Sequence, residues 1–147
     1  MTGVVFADSS ALVKLYADEP GAGAVRRLSL LVVSQLARVE VPAALWRKHR
    51  IGELSAADTA VLIGAFEADY FGTTDAPPRW SIVALTAPVL DHSARLVAAH
   101  GLRAYDAVQL ASACAVDAAV PERMAFAAFD KALCAAAAGE GFALLPE

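Results

Sequence analysis

Two short apolar runs, Val4-Val5-Phe6-Ala7 and Met124-Ala125-Phe126-Ala127-Ala128, stop at Asp8 and at Phe129-Asp130, and each is followed by a helical pattern. A run without polar alternation reads as a strand buried on both faces, the usual state of a strand in a parallel sheet. Each aspartate then falls where the chain leaves a strand and turns into a helix. Short strands alternating with helices predict an α/β layered domain with a largely parallel sheet.

The stretch between the two runs repeats that grammar. A helix over Ala11 to Tyr16 ends before Glu19-Pro20-Gly21, and a second is expected over Ala22 to Leu28. The apolar run Leu30-Leu31-Val32-Val33 leads to Ser34, an expected N-cap for a long helix carrying Leu36, Val39, Glu40, Ala43, Ala44 and Trp46, with Pro42 kinking it or delaying its start. Ser55-Ala56-Ala57-Asp58 has capping-box spacing for a helix reaching about Tyr70, and Gly72 to Pro78 is a loop. Trp80 to Leu85 reads as a strand or an irregular connection. From Thr86, with Pro88 in the first turn, a helix runs to Gly101, and its Asp91 and Arg95 have i,i+4 spacing for an ion pair. The next helix carries Asp106 in its first turn and an apolar face of Ala107, Leu110, Ala111 and Cys114. Lys131 to Ala138 forms a helix stopped by Gly139, and Phe142 to Leu145 a final strand.

A chain of 147 residues fits one domain, expected to cover residues 1–147, and 58% hydrophobic against 19% charged residues excludes disorder. The net charge of −4 lacks the basic footprint of a nucleic-acid binder. That objection lapses if the acids converge on a divalent cation, because the ion reverses the field a phosphate meets. Cys114 and Cys134 have neither CxxC spacing nor an accompanying histidine cluster and read as reduced core residues. His49, His92 and His100 lack paired ligand spacing and read as surface residues. With no basic, apolar leader and no membrane-length apolar run, the expected location is the cytoplasm.

In open parallel sheets ligands bind beyond the carboxyl ends of the strands, where Asp8 and Asp130 sit. Glu40 and Asp106, near helix N-termini, could join them at that edge. Each acid also has a plainer reading, as a helix cap for Asp8 and Asp130 and as a solvent-facing residue for Glu40. Four converging carboxylates would repel one another unless a cation joined them, and an all-carboxylate set selects Mg2+ or Mn2+ over zinc or copper. One or two such ions can activate water and stabilise charge on a phosphate oxygen, so the chemistry implied is phosphodiester hydrolysis. Arg47-Lys48-His49-Arg50 is either a solvated helix end or a phosphate-tracking patch joined by Lys14, Arg38 and Arg103. Trp46 and Tyr16 read as core or interface residues. Asp117 lies eleven residues beyond Asp106, about 16 Å along a helix and too far to share its ion.

Four blocks carry a resemblance: Val5-Phe6-Ala7-Asp8-Ser9-Ser10-Ala11-Leu12-Val13-Lys14-Leu15-Tyr16, Ser34-Gln35-Leu36-Ala37-Arg38-Val39-Glu40, Leu102-Arg103-Ala104-Tyr105-Asp106-Ala107-Val108-Gln109-Leu110-Ala111 and Phe129-Asp130-Lys131-Ala132-Leu133. In order and spacing they resemble the motifs of PIN-domain VapC toxins over nearly the whole chain. The resemblance implies a three-layer sandwich, a mostly parallel central sheet flanked by helices, and a metal-dependent endoribonuclease that cleaves RNA, pairs as a homodimer and is neutralised by a VapB-type antitoxin. It implies Asp8, Glu40, Asp106 and Asp130 as metal-binding catalytic acids, with Ser10 supporting the first. Ala128 departs from the Ser or Thr that many relatives carry, which weakens the implied support of Asp130. Two other readings remain open: a receiver-like phosphoacceptor domain, which the absence of a second acid after Asp8 disfavours, and a catalytically silent binding module of the same fold.

Overall fold

The computed structural model describes residues 3–146. In chain order the elements are β1 (Val5–Ala7), α1 (Ser9–Leu12) continued by a 3-10 turn (Val13–Leu15), α2 (Ala22–Arg26), β2 (Leu31–Ser34), α3 (Ala37–Arg50), α4 (Ala56–Phe71), β3 (Ser81–Val83), α5 (Ala87–His100), α6 (Ala104–Asp117), β4 (Ala125–Ala127), α7 (Lys131–Gly139) and β5 (Ala143–Leu145). The strands form one sheet in the order β3-β2-β1-β4-β5, with every pairing parallel. Trp80 to Leu85 therefore resolves in favour of a strand, at the edge beside β2.

Alternation along the strands divides the core into two layers, because successive side chains point to opposite faces. Val5, Ala7, Leu31, Val33 and Ala127 meet Leu12 of α1, Val41 and Leu45 of α3, and Phe66 and Tyr70 of α4. Phe6, Val32 and Phe126 meet Val89 and Leu96 of α5, Leu110 of α6 and Leu133 of α7 on the other face. Phe6 and Phe126 stack across β1 and β4 with ring centroids 5.4 Å apart. Each fully buried aromatic or aliphatic side chain of this kind contributes about 1.5–3 kcal/mol of transfer free energy. The result is an α/β/α sandwich, as expected.

β1 lies at the centre: the chain moves outward through β2 to β3, then returns to the far side of β1 for β4 and β5. Connections leaving neighbouring strands in opposite directions open a crevice at their carboxyl ends. Here that crevice lies beyond β1 and β4, which pair from Val5↔Ala125 to Ala7↔Ala127, with Asp8 N donating onward to Ala127 O at 3.1 Å. Asp8 follows β1 directly, and Asp130 lies three residues beyond β4.

Some local expectations are corrected. Ser34 closes β2 instead of capping α3; its Oγ accepts from Leu36 N at 3.1 Å, and α3 starts at Ala37 with no side-chain cap, Pro42 being carried inside the helix. The first helix begins two residues early, at Ser9, because Asp8 caps it. Asp91 and Arg95 form no ion pair among the described residues; Asp91 stays exposed in solvent, where such a pair is worth little. No helix of the described residues is long and apolar enough to cross a membrane.

Candidate active site

All four acids singled out from the sequence line one cavity of about 560 Å³ beyond the carboxyl ends of β1 and β4. Asp8 is buried, 4% exposed, because it sits at the end of the central strand. Its Oδ1 accepts from Ala11 N at 3.0 Å, capping α1, and from Ser10 Oγ at 2.7 Å. Among the described residues no donor reaches Oδ2. Ser10 Oγ also accepts from Phe129 N at 3.1 Å, tying the turn after β1 to the turn after β4. Asp130 uses the same arrangement, its Oδ1 capping α7 by accepting from Leu133 N at 2.9 Å. The cap and site readings are thus compatible: each aspartate caps a helix through Oδ1 alone and also lines the cavity.

Glu40, in the first turn of α3, is half-buried and not solvent-facing. Its Oε1 accepts from Ser9 Oγ at 2.9 Å and from Gln109 Nε2 at 2.7 Å, and Gln109 Nε2 reaches Ser9 Oγ at 2.9 Å. Gln109 is 2% exposed, three residues after Asp106 on the same face of α6, so one helix supplies both an acid and the support for another. Sequence reasoning passed over Ser9 and Gln109, although both stand inside the quoted blocks. Their i,i+1 and i,i+3 spacing from Asp8 and Asp106 was the available signal.

Burial pushes Asp8 up to about 7, against its bonds from Ser10 and Ala11 and with the help of repulsion from Glu40 and Asp106. Asp106 and Asp130 share a counter-ion: Arg103 lies 3.2 Å from Asp106 Oδ2 and 3.4 Å from Asp130 Oδ2, with its side chain 80% exposed. Among the described residues, no three of the four acids bring oxygens within 4.8 Å of one another. The donor set nonetheless suits a hard divalent cation, since the lining includes six carboxylates and no histidine or cysteine. A buried carboxylate with a free oxygen and like charges nearby is where such an ion would relieve repulsion.

The six basic candidates separate. Lys14, Arg47, Lys48 and Arg103 line the cavity; Arg38 and Arg50 do not. Arg38 pairs with Glu67 at 2.8 Å and lies over the Phe71 ring. Lys14 is buried and, with Lys48, engages Glu19, at 2.8 and 2.6 Å. Burial acts against the Glu19 charge, but bonds from Lys14 and Lys48 outweigh it and hold the carboxyl below its ordinary range. Arg47 alone of the four lining cations makes no ion pair with a described residue. Asp117 is engaged elsewhere, accepting from Met124 N at 3.2 Å just before β4. Tyr16 is half-buried and donates to Asp69, and Trp46 packs edge-on against His49. The three histidines are half-buried and not on the open surface, and Cys114 and Cys134 are reduced and half-buried.

A three-layer α/β/α domain with acids gathered at its switch point meets the expectation from the motif blocks, and the profile of the PIN domain matches residues 5–139: the chain belongs to the PIN-domain family. Two curated relatives, Ribonuclease VapC45 of Mycobacterium tuberculosis (strain CDC 1551 / Oshkosh) and Ribonuclease VapC49 of strain ATCC 25618 / H37Rv, are each 38% identical over 117 residues, covering 77% of this chain and 76% of the relative. That likeness places it among the VapC-type members. Two solved structures share the fold: PAE2754 from Pyrobaculum aerophilum (TM-score 0.61, 22% identity, 97% of this chain and 83% of that one) and a toxin–antitoxin complex from Klebsiella pneumoniae (TM-score 0.54, 15% identity, 86% of each).

Proposed function

We propose that this chain is an endoribonuclease toxin that hydrolyses RNA phosphodiester bonds with Mg2+ or Mn2+ in the cavity beyond β1 and β4, and that a cognate antitoxin holds it inactive. The observation that carries the reading is the convergence of Asp8, Glu40, Asp106 and Asp130, from four separate elements, on one cavity. These four residues would hold the ion. Bound there, it supplies Lewis-acid stabilisation of charge on a phosphate oxygen and a lowered pKa for water.

The remaining work belongs to the chain. Ser10 and the α1 amide at Ala11 fix Asp8 through Oδ1, and Ser9 and Gln109 fix Glu40 through Oε1. Each acid is oriented through one oxygen and keeps the other for a ligand or a proton. Arg47, unpaired among the described residues, is the cation best placed to meet an RNA phosphate, and Arg103 can turn to one on leaving its acids. An antitoxin or a second copy in a homodimer would have apolar side chains such as Val39, Val61 and Phe71, each 57–70% exposed, to cover.

The test is cleavage of a cellular RNA pool by antitoxin-free protein in Mg2+ or Mn2+ against EDTA, for wild type, Asp8→Asn and Asp106→Asn. Discrete fragments that require both metal and acids support the reading. Folded wild type and variants that behave alike would leave a silent binding module of the same fold.

A further inference from the structure

Three side chains outside the acidic cavity, unpromising in the sequence because they lie far apart, meet in space. His92 of α5, Cys114 of α6 and Glu140, which caps the C-terminus of α7, bring an imidazole nitrogen, a thiol sulfur and a carboxylate oxygen within 4.8 Å of one another. None of the three lines the cavity that holds Asp8. Their helices are anchored to the sheet by Val89, Leu96, Leu110, Leu133 and Ala137, so the grouping rests on a packed core.

The surroundings favour a cation. The Cys114 thiol faces two acids: burial first, then Glu140 and Asp117, push it up to about 11. His92 makes no hydrogen bond with any described residue. The Glu140 carboxylate already has a partner, His100 Nε2 at 2.8 Å from its Oε2, as ligating carboxylates commonly do. A cavity of about 350 Å³, lined in part by His92 and Cys114, opens alongside and leaves room for water as a fourth ligand. Arg95 also lines that cavity, the one basic side chain among the residues that do besides His92.

We propose that His92, Cys114 and Glu140 form a second metal site, for a borderline divalent cation such as Zn2+. One nitrogen, one sulfur and one oxygen donor suit tetrahedral zinc and not Mg2+ or Mn2+, whose place is the all-carboxylate cavity. Zn–S bonds of about 2.3 Å and Zn–N or Zn–O bonds of about 2.0–2.2 Å require the donors to close by roughly 1 Å, within reach of the exposed Glu140 side chain. On binding, the thiol releases its proton to solvent and the sulfur lone pair forms the bond, with no change in oxidation state. The ion would then staple α5, α6 and the end of α7, bracing the two helices whose opposite ends present Asp106 and Asp130.

Co2+ is the probe, added to EDTA-treated full-length protein, because a cobalt–thiolate bond gives a near-ultraviolet charge-transfer band that carboxylates cannot give. The band is expected at one equivalent in wild type, Asp8→Asn and Cys134→Ser, is displaced by Zn2+ but not by Mg2+, and is lost in Cys114→Ser and His92→Gln. Zn2+ should raise the melting temperature of wild type and Asp8→Asn by several degrees, and of Cys114→Ser by none. No band in folded wild type, or a band that survives in Cys114→Ser, overturns the site. Since Asp8→Asn disables only the acidic cavity, failure here is distinguishable from failure of the ribonuclease reading.

Discussion

The side-chain amide of Gln109 donates to Glu40 Oε1 at 2.7 Å, joining the second turn of α6 to the first turn of α3 across 69 residues of sequence. The amide orientation follows from its surroundings: Nε2 faces two acceptors, Ser9 Oγ and Glu40 Oε1, while Oε1 is buried without a partner. Replacing Gln109 by Leu removes one of the two bonds that hold Glu40 Oε1, leaving the one from Ser9 Oγ, and removes the orphan acceptor with it, so stability should change little while function suffers. Loss of a residue that orients a ligating carboxylate typically costs about 10–100-fold in activity or metal affinity. The comparison is RNA cleavage across a Mg2+ titration; wild-type rates at every concentration would show that Ser9 alone is enough to hold Glu40.

Asp8 provides a pH test in the metal-free state. Its folded pKa of about 7 lies above the ordinary 3.8, so between those values the folded chain holds a proton that the unfolded chain has released. This contribution to stability is fully present below the unfolded value and is lost as pH rises towards 7. Raising pH from 5 to 8 in EDTA should therefore lower stability by up to about 3 kcal/mol, and Asp8→Asn should flatten the slope. Urea melts at the two pH values measure it, and parallel profiles for the two proteins would remove the account of Asp8 as a strained buried charge.

Ser10 is bonded on both sides, to Asp8 Oδ1 and from Phe129 N. Ser10→Ala leaves a backbone donor and a buried carboxylate oxygen short of a partner, a cost of about 1–3 kcal/mol. Ser10→Thr keeps the hydroxyl and should recover most of the loss. A Thr variant as unstable as the Ala variant would mean that space, and not the hydroxyl, matters at this position.

Arg103 and a divalent cation compete for Asp106 and Asp130. Because the guanidinium is mostly exposed, its pairing is worth only about 0.2–1 kcal/mol, which corresponds to about 1.5–5-fold in an equilibrium constant. Arg103→Ala should tighten Mg2+ binding by that factor when read from melting temperature against Mg2+ without RNA. Weaker Mg2+ binding in the variant would show that Arg103 helps to build the ion site.

The alternation of apolar runs with helical patterns made the parallel sheet legible. Asp8 and Asp130 were legible too, because an acid between a strand and a helix leaves a mark among adjacent residues. Trp80 to Leu85 stayed ambiguous since an edge strand half-exposed to solvent carries little pattern. Ser34 is not legible in the sequence, because a serine before a helix and a serine ending a strand look alike until the strand's pairing is known; here Ser34 pairs with Val83.

Local hydrogen bonding and side-chain periodicity are properties of neighbours in the chain, so the sequence alone determined the elements, their order and the acids at their ends. Which distant elements touch depends on the strand order β3-β2-β1-β4-β5 and on the two helix layers that cover its faces. Only that packing set Gln109 against Glu40, brought Asp130 to the Arg103 that already meets Asp106 locally, and brought His92, Cys114 and Glu140 together. The burial that drives such packing is non-directional, so it leaves no local signature in the sequence of the polar groups it brings together.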